Sequence, residues 1–199
     1  MKRYFKNKKL LEKNNVYSKD MEHDACGVGL VASTEGKKSR KVVEYGIQAL
    51  KAVWHRGAVD ADGKTGDGAG IHVEISKEFF KEKIEVTGHT YDNAEICIGM
   101  IFLPRNDYEA QENCRTLVEK ELTQNNFSIY GWRQVPVNTK VLGEKAEQTR
   151  PEITQVLFRY NDQKLSGKAL EIKLYETRRK IENNAVSYTH LTLPTKRIV

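Results

Sequence analysis

The sequence predicts one mixed α+β domain with helices layered on sheet. Apolar runs of strand length recur at residues 25–32, 71–75, 96–103, 127–137 and 153–160. Between them, residues 39–54, 107–124 and 165–183 repeat apolar side chains at the spacing of one helix face. No internal repeat, low-complexity stretch or linker separates these segments, so a single layered domain is the economical arrangement.

Each element has its own justification. Ala25-Cys26-Gly27-Val28-Gly29-Leu30-Val31-Ala32 is small and apolar, a strand with glycines where backbone approaches closely. Val42, Val43, Ile47, Leu50, Val53 and Trp54 fall on one face of a helix over 39–54. A Gly/Asp-rich loop then runs from Gly57 to Gly70, and Ile71, Val73 and Ile75 alternate as the apolar face of a strand, with His72 opposite. Residues 96–103 are continuously apolar and end at Pro104, as expected of a strand covered on both faces. Cys114, Leu117, Val118 and Leu122 define a helix over 107–124. Two further strands follow, then a charged amphipathic helix over 165–183 carrying Leu170, Ile172, Leu174, Tyr175 and Ile181.

Composition removes several function classes. Hydrophobic residues make up 39% and charged residues 30% of the chain, and no apolar run approaches the roughly 20 residues that span a bilayer. The net charge is +6, but residues 1–20 hold seven Lys/Arg against Glu12 and Asp20. The other 179 residues sum to about +1, too near neutral for a phosphate-binding face, so no nucleic-acid partner is expected. The basic tail is Lys/Asn-rich without an apolar segment, unlike a secretory signal. Cys26, Cys97 and Cys114 are odd in number and lack a C-x-x-C pair, which argues against a disulfide framework or a metal site and for a reducing, cytoplasmic setting.

Cys97 sits within an apolar strand and Cys114 on an apolar helix face, so both read as inert core residues. Cys26 lies where a polar tail meets the first strand. It is either a small residue that opens the strand or a nucleophile. Cleavage before Cys26 would put an α-amine of pKa about 7.7–8.0 on the residue that carries the thiol, so one residue could supply nucleophile and base. His55 and His72 are competing bases, and nothing in their spacing singles out either. The run Gly66-Asp67-Gly68-Ala69-Gly70 precedes a strand and lacks a following Lys-Ser/Thr, so neither the dinucleotide nor the Walker phosphate pattern applies. A turn exploiting positive φ and a loop that lets backbone approach a substrate both remain open.

Taken in order, EHDACGVGLVAS (22–33), HRGAVDADGKTGDGAGIHV (55–73), IGMIFLP (98–104), GWRQVPV (131–137) and TRPEITQVLF (149–158) closely resemble the amidotransferase domain of glutamate synthase large subunits. The resemblance implies an N-terminal-nucleophile hydrolase fold, a four-layer αββα sandwich that is incomplete in this chain. It implies a propeptide at 1–25, a partial amidotransferase domain at 26–185, and Cys26 as nucleophile. Arg56 and Gly57 would lie at the glutamine site, with Gly66, Asp67, Gly68 and Gly70 in a site-shaping loop. The implied reaction hydrolyses glutamine to glutamate and ammonia, the ammonia passing to 2-oxoglutarate in downstream synthase domains of the same polypeptide. FMN and an iron–sulfur cluster would belong to those domains, with no cofactor and no metal in this chain, and a small NADPH-oxidising subunit is an expected partner. Hydrolysis of another amide and a non-catalytic scaffold are the alternatives. The glutamine-binding H-x-R-F/Y-S-T and oxyanion-hole N-G-E segments of related amidotransferases are absent, so the chain alone is expected to be inactive. Residues 186–199 do not resemble the family and read as a foreign tail.

Overall fold

The structure, a computed structural model, describes residues 27–54, 57–162 and 164–185, together with Lys6, Asn7, Lys9, Leu10 and Lys13. The expected tail over 186–199 and all other residues of the expected propeptide lie outside the described residues. The chain divides into two compact units, Met1–Ala58 and Val59–Val199.

In the first unit, helix α1 (Arg40–Ala52) occupies the segment that periodicity assigns to it. Ser39 is its N-cap, in extended conformation with its hydroxyl accepting from the Lys41 amide at 3.2 Å. Val42, Val43, Ile47, Leu50 and Val53 are half-buried as expected, but Trp54 is 77% exposed, because the helix ends before it and the chain turns. The strand expected from residue 25 onward does not form over 27–32, where Val28 and Leu30 are 90% and 91% exposed. An apolar extended segment becomes a strand only when a neighbour takes its N–H and C=O groups, and no described residue does so.

The second unit contains helix α2 (Lys77–Val86), strand β1 (Cys97–Leu103), helix α3 (Tyr108–Gln124), strand β2 (Phe127–Gln134), a 3₁₀ turn (Thr139–Val141), helix α4 (Glu144–Thr149), strand β3 (Glu152–Tyr160) and helix α5 (Gly167–Ala185). The sheet order is β1-β3-β2 with both pairings antiparallel, so β1 and β2 run parallel and α3 makes the crossover between them. The last strand therefore enters between the first two. The segment 71–75, expected as a strand, is unpaired, with Ile71 and Val73 44% and 55% exposed and Ile75 half-buried. Helix α2 is an element that the periodicity reading missed, although Ser76 caps it, Glu78 sits in its first turn and Lys83 in its last.

One face of the sheet carries the main core. Cys97, Ile101 and Leu103 of β1, Phe127 of β2, and Val156 and Phe158 of β3 pack with Cys114, Val118 and Leu122 of α3 and with Leu170 and Ile181 of α5. Burying each large apolar side chain is worth about 1.5–3 kcal/mol, so this layer dominates the stability of the unit. Along α5 the buried positions are Leu170, Thr177, Ile181 and Ala185; Ile172 and Tyr175, expected on the apolar face, are 51% and 54% exposed because they project to other sides of the helix. The opposite sheet face holds Tyr130, Leu157 and Ile98 against Ile84 and Phe80 of α2. Strand β1 is accordingly buried at alternate residues and half-buried between, not closed on both faces. Among the described residues there is one sheet, so the mixed helix–sheet class is present and a second sheet layer is not among them.

A bulge re-aims β2. Ile129 pairs with Phe158 while Gly131 pairs with Leu157, leaving Tyr130 as the extra residue. Its ring joins the second face and its hydroxyl donates to Asp92 Oδ1, while Arg159 Nε meets the other oxygen of Asp92 at 2.7 Å.

Candidate active site

Cys26, Arg56 and the competing base His55 lie outside the described residues. Gly57, in the first unit, closes a turn by donating its N–H to the Trp54 carbonyl at 3.0 Å. His72 is exposed, on an unpaired segment.

The Gly/Asp loop is in the second unit and is built from a bridged turn. Val59 and Gly66 form an antiparallel bridge, the Asp60 amide donates to the Thr65 carbonyl at 2.7 Å, and the Gly63 amide to the Asp60 carbonyl at 2.9 Å. Gly63 takes φ +69°, the conformation that an Asp-Gly pair favours in turns. The Asp62 carboxylate organises the interior of the turn. Its Oδ1 accepts from the Lys64 and Thr65 amides at 2.9 and 2.7 Å, and its Oδ2 accepts from the Thr65 hydroxyl at 2.5 Å. The hydroxyl first, and then the two amides, hold the Asp62 pKa down to about 2.

The glycines at 66–70 behave otherwise than a positive-φ turn would require. Left-handed backbone falls at Gly63, upstream, and not at Gly66, Gly68 or Gly70. A Cβ added at Gly68 or Gly70 would meet nothing within 4 Å. Neither strain nor packing among the described residues demands glycine at those two positions, and the loop is exposed.

Residues that periodicity passed over hold this turn against the start of α4. Gly143, the N-cap of α4, lies directly on the turn: a Cβ built there would stand 2.5 Å from the Thr65 nitrogen and closer still to Thr65 Oγ1 and Asp62 Oδ2. Lys145 Nζ pairs with Asp60 Oδ2 at 2.6 Å. At the far end of α4, Glu147 accepts from Arg105 at 2.7 Å and from Arg150 at 3.1 Å, tying the short helix to the end of β1 and the start of β3. Arg150 first, then Arg105, holds the Glu147 carboxyl below its usual pKa, against the opposing effect of desolvation. The sequence signal for the turn was D-A-D-G, an aspartate–glycine turn pattern. No local pattern marks Gly143, whose constraint comes from residues about eighty positions away.

Cys97 and Cys114 are free thiols, 4% and 2% exposed, as the core reading expects. Burial pushes the Cys97 thiol up to about 12 and raises that of Cys114, so neither supplies thiolate near neutral pH. Among the described residues, no three His, Cys, Asp or Glu side chains gather closely enough to hold a metal ion. None of the described helices is long and apolar enough to cross a membrane.

Comparison with known proteins matches residues 26–194 to the class-II glutamine amidotransferases. The chain is 54% identical over 168 residues to the glutamate synthase (NADPH) large chain of Azospirillum brasilense, which covers 84% of this chain and 11% of that protein. It is 38% identical over 152 residues to glutamate synthase (NADH) of Saccharomyces cerevisiae, covering 74% and 7%. It is 36% identical over 158 residues to ferredoxin-dependent glutamate synthase 2 of Synechocystis, covering 79% and 10%. The chain thus spans about a tenth of the length of these relatives. With five-sixths of its residues inside one family match, the chain belongs to the class-II glutamine amidotransferase family.

Proposed function

We propose that this chain is the glutaminase region of a glutamate synthase, and that removal of residues 1–25 makes Cys26 the first residue of the mature protein. What supports this most directly is the start of the family match, which falls on Cys26 itself. The other two cysteines are buried with raised pKa, leaving Cys26 as the thiol suited to attack.

In the proposed reaction the Cys26 α-amine takes the thiol proton, and the thiolate sulfur attacks the side-chain carbonyl carbon of glutamine. The C–N bond breaks, and the leaving nitrogen receives that proton from the α-ammonium to depart as ammonia. A water molecule then attacks the thioester, the amine accepts its proton, and glutamate leaves as the thiol re-forms. Arg56 and Gly57 are proposed as glutamine-binding residues, and Gly66, Asp67, Gly68 and Gly70 as a site-shaping loop. The ammonia would pass to 2-oxoglutarate in later domains. Cys97 and Cys114, both in apolar packing, do not fit an iron–sulfur cluster, so FMN and the cluster are assigned to polypeptide beyond this region.

The test is mass measurement of the mature full-length protein together with a glutamine-hydrolysis assay. The expected result is a first residue of Cys26 and loss of hydrolysis in Cys26→Ala. A mature chain that keeps its leader, or hydrolysis that survives the substitution, would sink the reading.

A further inference from the structure

We infer that the outer edge of β2 is a docking site for an extended acidic segment of the same polypeptide, one lying outside residues 1–199. This rests on reading the chain as one region of a glutamate synthase; the relatives it matches hold about nine-tenths of their length outside the matched part. The sheet order β1-β3-β2 leaves the far side of β2 without a strand among the described residues. The Val135 amide donates inward to the Ile153 carbonyl at 2.9 Å, and antiparallel partners alternate between bonded and non-bonded pairs. Trp132 and Gln134, opposite Val156 and Thr154, therefore fall at non-bonded pairs and turn their N–H and C=O groups away from β3. This open edge is bounded at both ends. Thr87 Oγ1 lies 2.7 Å from the Tyr130 carbonyl, within donating distance, and Pro136 has no N–H to offer. Between them is room for one short added strand.

Charge specifies what that strand carries. Beside the edge lies a cleft of about 660 Å³ whose lining includes Lys83, Val86 and His89 together with Arg133, and no carboxylate. Lys83 Nζ and the Arg133 guanidinium carbon stand 5.0 and 5.3 Å from the centre of the same ring, Phe79. The two charges are thus no more than about 10 Å apart, roughly a Debye length at 0.1 M salt. The ring attracts both cations but neutralises neither. Arg133 donates to the Gln155 amide oxygen at 2.5 Å, a neutral acceptor, and among the described residues neither cation forms an ion pair. On a strand added at β2, the residue beside Arg133 on the α2 face comes within reach of both. Opposite charges on neighbouring strands stabilise the pair and like charges oppose it, so aspartate or glutamate is the residue wanted there. Val86, 82% exposed, adds apolar surface to the same cleft. A small solute anion would use the cations and leave the outward backbone groups of Trp132 and Gln134 unpaired; a peptide uses both. A segment of the same polypeptide is also held nearby by its tether, at an effective concentration that a separate molecule lacks.

The experiment uses the full-length protein. A water-soluble carbodiimide joins an amine to a carboxylate in direct contact, and mixing protein labelled with heavy nitrogen with unlabelled protein separates links within one polypeptide from links between copies. Hydrogen exchange at Trp132 and Gln134 is followed in parallel. The expected result is a single-label link from Lys83 to an Asp or Glu outside residues 1–199, with exchange at the two amides slowed at least ~10-fold below that of unprotected amides. In Arg133→Glu the link should weaken and exchange at both amides rise roughly 10-fold, while Arg133→Lys, which keeps the charge, stays near wild type. If Arg133→Glu fails to fold, Lys83→Glu on α2 carries the same exchange expectation. A Lys83 that links to nothing, or only within residues 1–199, overturns the docking site, and so do Trp132 and Gln134 amides that exchange freely. Links of mixed label, or to a separate subunit, overturn the assignment to the same polypeptide. Wild-type exchange in the charge-reversed variant overturns acidic recognition. Glutamine hydrolysis by the same preparation tests the underlying reading separately: a protein that links as expected but hydrolyses no glutamine overturns the glutaminase reading and leaves the docking site standing.

Discussion

Replacing Gly131 by alanine should loosen the edge strand β2 from β3, and the structure allows the cost to be apportioned. Gly131 follows the bulge with φ +145°, a conformation that costs a residue with a side chain about 1–3 kcal/mol. An added Cβ would also lie 2.9 Å from both Cβ and Cγ2 of Thr87 and 3.2 Å from its Oγ1. Thr87 cannot simply retreat, since its hydroxyl is 2.7 Å from both the Tyr130 and the Ile84 carbonyl oxygens. Forcing it aside is overpacking, worth a further ~1–3 kcal/mol. The sum is about 2–6 kcal/mol, centred near 4. Gly36→Ala is the matched control, because Gly36 also has positive φ, +65°, but nothing lies within 4 Å of its added Cβ. It should cost only ~1 kcal/mol. Hydrogen exchange of backbone amides, followed by mass spectrometry in the full-length protein, reads local opening of β2 and β3 directly. At 1.4 kcal/mol per factor of ten, exchange there should rise in Gly131→Ala by roughly 30-fold to 10⁴-fold, centred near 10³. Unchanged protection of β2, or a rise no larger than that caused by Gly36→Ala in its own segment, would refute the bulge and contact argument.

Two further predictions concern charge and thiols. With its pKa raised to about 12, the Cys97 thiol is ionised in only about one molecule in ten thousand at pH 8. Iodoacetamide should therefore leave Cys97 and Cys114 unmodified in the native protein and modify both after denaturation, which peptide mass mapping detects; rapid native labelling of either would contradict their burial. The Asp62 pKa of about 2 lies below its unfolded value near 3.9, so the stabilisation it contributes is complete above the unfolded value and lost as pH falls through the folded one. The turn at 59–66 should resist an acid-active protease down to about pH 4 and become cleavable between about pH 4 and pH 2. Asp62→Asn should be cleaved there even at about pH 5, and equal resistance of the two proteins would remove Asp62 from its proposed place in the turn.

How far the sequence could be read differs by element, for physical reasons. The helices at 40–52, 108–124 and 167–185 and the three paired strands were legible because their apolar spacing records which face is buried, and burial is the dominant favourable term in folding. Val28, Leu30, Ile71 and Val73 carry the same kind of spacing yet stay exposed and unpaired, since apolarity chooses extended backbone but does not supply a hydrogen-bonding partner. Helix α2 escaped notice although its cap at Ser76 was readable, because Phe79, Phe80 and Ile84 make only a short stripe among charges. At the site, the Asp-Gly turn was visible in the chain, whereas Gly143 was not: its requirement arises wholly from Asp62 and Thr65 across the fold.

By itself, the order of residues determined the mixed helix–sheet class, the inert character of Cys97 and Cys114, and a motif set that resembles the class-II glutamine amidotransferases. These are properties carried by local pattern or by the chemistry of single side chains. Tertiary structure alone decided that β3 enters between β1 and β2, that a bulge turns Tyr130 toward Asp92, and that α4 pins the turn preceding the glycine loop. Each of these depends on distances between residues remote in sequence, and such distances exist only once the chain has packed.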